Sequence, residues 1–202
     1  MSESFTFDSK LKNYNKIGLS LSGGVDSALL LYYLLKADFE ITCYTMVDEG
    51  NKVNSNIDAA KYVVNLMETK TSKTIKNHVF QGYTKTEKND KRNQMRIYYT
   101  KLFDEGTIDC LVTGTSKDLT SIDDKWGERD RVKLNDSVWN KENTVYRPFL
   151  QNDKKWIKTC CDSCGLTSEL IANTLSCISN TIKAPCKNCL WCAEKYDVFS
   201  SY

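Results

Sequence analysis

Six residues, Ser22-Gly23-Gly24-Val25-Asp26-Ser27, separate two apolar runs, Ile17 to Leu21 and Ala28 to Leu35. The first run reads as a buried strand and the second as a buried helix. The chain must therefore pass from strand to helix through a glycine-containing loop. Such a loop is an anion site, because the first amides of the helix point outward and the helix dipole favours negative charge. Gly23 and Gly24 let the backbone approach an anion closely. Ser22 and Ser27 add hydroxyl donors. Asp26 repels phosphate unless a cation lies between them, so it points to a divalent metal. The group best suited to the loop is the pyrophosphate part of a nucleotide.

The alternation continues downstream. Phe5 to Asn15 is a polar lead-in. A helix is expected over Asp26 to Ala37 and a β-branched, aromatic strand over Phe39 to Val47. Asp48 to Asn51 is a turn. Ile57, Ala60, Val63, Val64 and Met67 give helical spacing over Asn56 to Thr69. A weaker strand follows over Thr74 to Phe80, then a lysine-rich connection, Gly82 to Arg92. Gln94 to Glu105 is a helix, and Ile108 to Thr113 a strand ended by Gly114. Thr115 to Asn143 is polar and charged, a functional or disordered loop. Val145 to Leu150 is a short apolar run broken by Pro148. Helices are expected over Asp153 to Cys164 and Thr167 to Thr174.

This order predicts an α/β fold, a parallel sheet with helices on both faces, as a single domain over residues 1–202. Ligands in such sheets bind outside the carboxyl ends of the strands, near a switch in strand order. Here those ends are Ser20 to Ser27, Val47 to Gly50, Gln81 to Tyr83 and Gly114 to Asp118.

A net charge of +2 gives no strong pull toward nucleic acid or membrane. No apolar run reaches membrane-spanning length, and Met1 to Lys16 has no signal-peptide core. The expected compartment is the cytoplasm. In that compartment nine cysteines point to metal or chemistry rather than to disulfides.

Cys186-Lys-Asn-Cys189-Leu-Trp-Cys192 is two overlapping CxxC steps, and Cys177 precedes Cys186 with eight residues between. Four thiolates satisfy tetrahedral zinc, so a zinc element is expected over about 174–195, with an iron–sulfur cluster the other metal compatible with the spacing. Cys160, Cys161 and Cys164 fall on a helix; the blander reading is that they fill the core, and the alternatives are a fourth ligand or a redox pair. Cys43 and Cys110 are expected to pack inside strands. His78, the only histidine, reads as structural.

Ser22 to Ser27 resembles the signature of the PP-loop ATP pyrophosphatases. Joined to Cys-x8-Cys-x2-Cys-x2-Cys, it resembles the 7-cyano-7-deazaguanine synthases. Further residues agree with that family: Asn173 to Cys177 around the first cysteine ligand, Arg147-Pro148-Phe149-Leu150 with Lys154 or Lys155 after it, Arg92-Asn93 at a helix start, and Val112-Thr113-Gly114 at a strand end. After the second and fourth strands the family's segments that lie over the substrate differ. Gly50-Asn51-Lys52-Val53, Thr115-Ser116-Lys117-Asp118 and the charged run Asp123 to Arg131 stand here instead.

The resemblance implies an ATP-dependent ligase that adenylates 7-carboxy-7-deazaguanine and uses ammonia to form an amide and then 7-cyano-7-deazaguanine. It implies ATP, Mg2+ and Zn2+. Asp26 and Ser27 would be catalytic, with Asp26 at the magnesium. Ser20, Ser22, Gly23, Gly24 and Val25 would hold the phosphates; Met46 and Asp48 would border the adenosine; Arg92 and Gly114 would complete the nucleotide site. Cys177, Cys186, Cys189 and Cys192 would bind zinc. The partners would be the deazapurine and ammonia, with room for a homodimer and no membrane or nucleic acid. Two other readings stay open at this point. One is a PP-loop thiolation enzyme acting on transfer RNA, which needs an RNA-binding region and a persulfide-carrying cysteine. The other is a non-catalytic, zinc-bearing interaction protein with a relic loop.

Overall fold

The structure is a computed structural model, and it describes residues 5–50, 55–84, 91–117, 137–140, 142, 144–177 and 185–202. Five strands form one sheet: β1 (Ile17–Ser20), β2 (Ile41–Asp48), β3 (Asn77–Tyr83), β4 (Cys110–Thr113) and β5 (Val145–Tyr146). All adjacent pairs are parallel, in the order β3-β2-β1-β4-β5. The chain builds outward from β1 to β3 and then returns to the other side of β1 for β4. The order reverses between β1 and β4, and the loop after β1 opens at that reversal.

Six α-helices accompany the sheet among the described residues: α1 (Val25–Lys36), α2 (Ser55–Thr71), α3 (Lys91–Asp104), α4 (Lys154–Ser163), α5 (Thr167–Asn173) and α6 (Leu190–Phe199). The strands' alternation decides which face each helix covers. Ile17, Leu19, Ile41, Cys43, Cys110 and Val112 point into the larger core, with side chains of α1, α2, α4 and α5. Tyr44 and Leu111 point to the opposite face, where they meet Tyr99 and Leu102 of α3. The helices therefore lie on both faces, as the alternation predicts. Leucines point in nearly every direction from α1, which is why eight of its residues are buried.

Three boundaries have local causes. Asp38 takes a left-handed φ of 64° after α1, and the Phe39 amide closes the helix on the Leu34 carbonyl at 3.1 Å. β2 consequently starts at Ile41 rather than at Phe39. Asp153 is the N-cap of α4, its carboxylate accepting from the Trp156 amide at 2.9 Å. β3 pairs from Asn77 to Tyr83, three residues further along than the apolar run suggests.

The polar lead-in is corrected. Phe5 packs on Tyr33, Phe149 and Trp156, Phe7 packs on Phe39 and Tyr146, and Leu11 is fully buried in a 3-10 turn (Ser9–Asn13). Asp8 caps that turn through the Lys10 amide and also accepts from the Trp139 indole at 3.0 Å. The segment is a strap packed against the main core. Of the polar span Thr115 to Asn143, residues 118–136, 141 and 143 lie outside the described residues, as do 51–54 and 85–90 of the earlier connections.

Candidate functional site: a phosphate loop tied to a four-cysteine cluster

β1 ends at Ser20, and the chain turns through Leu21 to Gly24 into α1. Gly24 is the N-cap, and no side chain caps the helix. The first-turn amides of Val25, Asp26 and Ser27 are therefore presented as a set of donors. Gly23 has a φ of +81°, and a Cβ on it would stand 3.0 Å from Ala59 Cβ and 3.1 Å from the Ala60 amide nitrogen. The turn thus needs glycine twice over, for its handedness and for the start of α2 that lies against it. The serine hydroxyls shape the loop from inside. Ser27 Oγ donates to the Gly24 carbonyl at 3.0 Å, lies 3.1 Å from Ser22 Oγ, and accepts from the Ser22 amide at 3.3 Å. Gly114, after β4, approaches the helix start: a Cβ there would stand 2.9 Å from the Ser27 amide nitrogen.

Asp26 does not stand alone. Lys154 Nζ donates to both of its carboxylate oxygens, at 2.6 and 2.5 Å, and Ser116 Oγ donates to Oδ2 at 3.3 Å. The Lys154 side chain is only 7% exposed, whereas Lys155 faces solvent. Of the two lysines picked out in the sequence, it is Lys154 that reaches the loop. On its other side Lys154 lies 3.8 Å from Glu194, a buried carboxylate of α6. A divalent cation at Asp26 must share that carboxylate with, or take it from, Lys154.

Of the other expected nucleotide residues, Met46 and Asp48 lie at the end of β2. Met46 offers its carbonyl to Asn56 Nδ2 at 2.9 Å, and Asp48 is buried with Oδ1 accepting from the Gly50 amide at 3.0 Å. Arg92 falls in the first turn of α3, and its side chain lies outside the described residues. His78 Nε2 contacts Thr45 Oγ1 at 2.9 Å, and that hydroxyl donates to the Leu21 carbonyl at 2.8 Å. With the hydroxyl proton committed to Leu21, Nε2 is the donor. Burial, with Lys61 a lesser cause, pulls the His78 imidazole down to about 4, so it is neutral at pH 7.

The cysteine expectation is met in space. The Sγ atoms of Cys177, Cys186, Cys189 and Cys192 all lie within 4.8 Å of one another, with Cys186 and Cys192 4.0 Å apart. Tetrahedral zinc with ordinary zinc–sulfur bonds separates its sulfurs by about 3.8 Å. The donor set fits Zn2+, and no disulfide links any pair. Cys160 and Cys161 are buried in the main core, and Cys164 Sγ lies 3.7 Å from the Tyr33 hydroxyl. They supply no ligand to the cluster. Cys43 and Cys110 are fully buried.

The cluster and the loop touch. The Leu175 amide donates to the Gly23 carbonyl at 3.0 Å. Lys195, three residues beyond Cys192, donates to the Thr174 carbonyl at 2.7 Å and to the Ile171 carbonyl at 3.0 Å. Glu194 and Lys195 escaped the sequence reading because α6 did. Two adjacent charges look like a solvated face, yet both are buried, one toward Lys154 and one toward backbone carbonyls. Among the described residues no helix is long and apolar enough to cross a membrane.

No protein-family model matches the chain. No curated protein matches it by sequence. The fold is similar to that of NMN synthetase from Francisella tularensis, at a TM-score of 0.52 and 12% identity, over 80% of this chain and 66% of that one. PH1313 from Pyrococcus horikoshii Ot3 aligns at a TM-score of 0.41 and 16% identity, over 74% of this chain and 41% of that one. The chain thus spans 66% of the length of the synthetase it matches. At such identity the likeness is one of fold alone: a parallel α/β sheet flanked by helices.

Proposed function

We propose that this protein is an ATP-dependent carbon–nitrogen ligase of the 7-cyano-7-deazaguanine synthase type. It would activate the carboxylate of 7-carboxy-7-deazaguanine as an acyl adenylate and transfer ammonia to it. The observation that carries the proposal is a junction: an uncapped helix start with an acidic residue, hydrogen-bonded directly to the lead-in of a four-cysteine cluster. Thiolation of transfer RNA has less support, because the cysteines outside the cluster are buried or half-buried and none stands beside the loop as an open thiol.

The chemistry follows from the groups present. A substrate carboxylate oxygen attacks the α-phosphorus, and the bond from that phosphorus to the bridging oxygen breaks. Pyrophosphate leaves with the electron pair into the amides of Val25, Asp26 and Ser27. Magnesium, when bound at Asp26, would neutralise charge on the leaving group. Ammonia then attacks the acyl carbon, loses a proton, and expels AMP to give the amide. A second ATP adenylates the amide oxygen and releases a second pyrophosphate; the nitrogen then loses both protons, and AMP leaves with that oxygen to give the nitrile. Ser27 supports these steps by keeping the loop closed on itself rather than by attacking. Lys154 is placed to balance charge at Asp26.

The test is incubation of the purified protein with magnesium-ATP, ammonium and 7-carboxy-7-deazaguanine, following AMP and the deazapurine by mass. Nitrile with AMP is the expected result. Amide as the end product restricts the proposal to the first half of the reaction. No turnover, with tight binding of another carboxylate, overturns the substrate.

A further inference from the structure

Lys154 lies between two carboxylates that come from opposite ends of the chain. Asp26 belongs to the phosphate loop and Glu194 to α6, the helix that carries the last cysteine of the cluster, Cys192. The side chains are 22%, 7% and 1% exposed for Asp26, Lys154 and Glu194, so solvent reaches Asp26 and scarcely reaches the other two. The contacts are unequal. Asp26 takes Lys154 at 2.6 and 2.5 Å, whereas Glu194 stands off at 3.8 Å. A cation approaching from solvent meets the Asp26 end of this row first.

We infer that Glu194 is a positioning residue that sets the metal demand of the phosphate loop. It acts through Lys154 by giving the ammonium a second carboxylate when a divalent cation claims Asp26. This rests on the reading of the loop as a magnesium-ATP site. The physical reason is the cost of an unpaired buried charge. With Glu194 present, Lys154 can loosen its hold on Asp26 and remain beside a carboxylate. With Glu194 neutral, the same move strands an ammonium in a dry interior, so Lys154 keeps Asp26 and the metal competes poorly. Local charge acts in the same direction. Asp26, Lys154 and Glu194 sum to one negative charge, and removing the Glu194 charge makes the group neutral, which attracts a dication less and phosphate more.

The experiment titrates ATP into the zinc-loaded full chain by calorimetry at stepped magnesium concentrations, and in magnesium-free buffer, for the wild type, Glu194→Gln and Glu194→Asp. Zinc content and urea midpoint are measured on each. The expected result for Glu194→Gln is an apparent magnesium constant weakened by about tenfold or more, the range for losing an outer partner of a metal site, with metal-free ATP binding undiminished. Glu194→Asp, which keeps the charge but draws it back, should fall between this variant and the wild type. Equal weakening of ATP binding at every magnesium level would mean that Glu194 only supports the structure, and overturns the inference. If Glu194→Gln does not fold, a magnesium constant in Glu194→Asp equal to the wild type's does the same. A wild-type protein that binds no ATP at any magnesium concentration removes the functional reading itself, and this inference with it.

Discussion

The Leu175 amide donates to the Gly23 carbonyl at 3.0 Å, so the segment that leads to the first cysteine of the cluster is bonded to the glycine loop between β1 and α1. Lys195 holds the preceding carbonyl, that of Thr174, from α6, the helix that carries Cys192. The cysteine cluster is thereby a brace for the loop. Burial lowers the Lys195 ammonium from its ordinary range, yet the two carbonyls it meets favour the charged form. Removing zinc with a chelator should free α6 and with it this brace. The expected outcome is loss of a single zinc per chain together with a fall in ATP affinity of about tenfold, equivalent to about 1.4 kcal/mol. Metal analysis and calorimetry read the two effects. ATP affinity that is indifferent to zinc would separate the cluster from the loop.

Gly114 offers a cleaner probe of the loop than the loop's own glycines. A Cβ at that position would stand 2.9 Å from the Ser27 nitrogen and 3.0 Å from the Asp26 carbonyl carbon, both backbone atoms that cannot rotate away. Gly114→Ala should push the start of α1 off β4. We expect a stability loss of about 1–3 kcal/mol, the usual cost of overpacking. ATP affinity should fall more than the urea midpoint implies, because the displaced amides are the donors proposed to hold the phosphates. Wild-type affinity in a folded Gly114→Ala protein would mean that these amides do not hold the nucleotide.

His78 makes stability depend on pH in a predictable direction. Its folded value, about 4, lies below the ordinary 6.5 of the free imidazole, chiefly through burial. Between those values the unfolded chain binds the extra proton and the folded chain does not, so stability rises with pH across this window. The contribution is fully present above about 6.5 and is lost as pH falls toward about 4. His78→Gln should be destabilised by about 1 kcal/mol at pH 7, through the weakened bond to Thr45. Its urea midpoint should fall less steeply than the wild type's between the two pH values. Parallel curves would assign the pH dependence to other groups.

Much of this architecture is legible in short stretches. Ile17 to Ser20 is apolar and stops at serines and glycines, so its extent could be read locally, while its parallel pairing follows from the alternation of strands and helices along the chain. The cysteine spacing likewise announces its cluster, since cysteines with two residues between them turn readily around one centre. What escaped depends on contacts that spacing does not encode. Phe5 and Phe7 lie among polar residues, and distant rings, among them Tyr33, Phe39, Phe149, Trp156 and Tyr146, draw them half-buried against the core. Phe5→Ala should cost about 3 kcal/mol, the lower range for deleting a packed phenylalanine; urea unfolding measures it, and a loss below about 1 kcal/mol would reduce the strap to a surface feature. Lys154 was one of two adjacent lysines until α4 turned it inward. Glu194 and Lys195 are buried by tertiary contacts that two adjacent charges do not announce.

The second group of cysteines tests whether spacing alone recruits metal. Cys161 and Cys164 repeat the CxxC pattern, but Cys161 is fully buried and its neighbour Cys160 nearly so, on a helix whose apolar side faces the core. Burial, with Asp26 a lesser cause, pushes the Cys161 thiol far up, and burial chiefly pushes Cys110 up to about 12. Neither is a thiolate near neutral pH, so neither is a ready ligand or nucleophile. Cys161→Ala should therefore keep the full zinc content and lose about 1 kcal/mol, one buried sulfur's worth of packing. Cys189→Ser should do the opposite and lose the metal. Alkylation of the native zinc protein at pH 8 should leave Cys43, Cys110 and Cys161 unmodified, and denaturation should expose all nine cysteines. Zinc lost from Cys161→Ala in a folded protein would place that helix in the metal site after all.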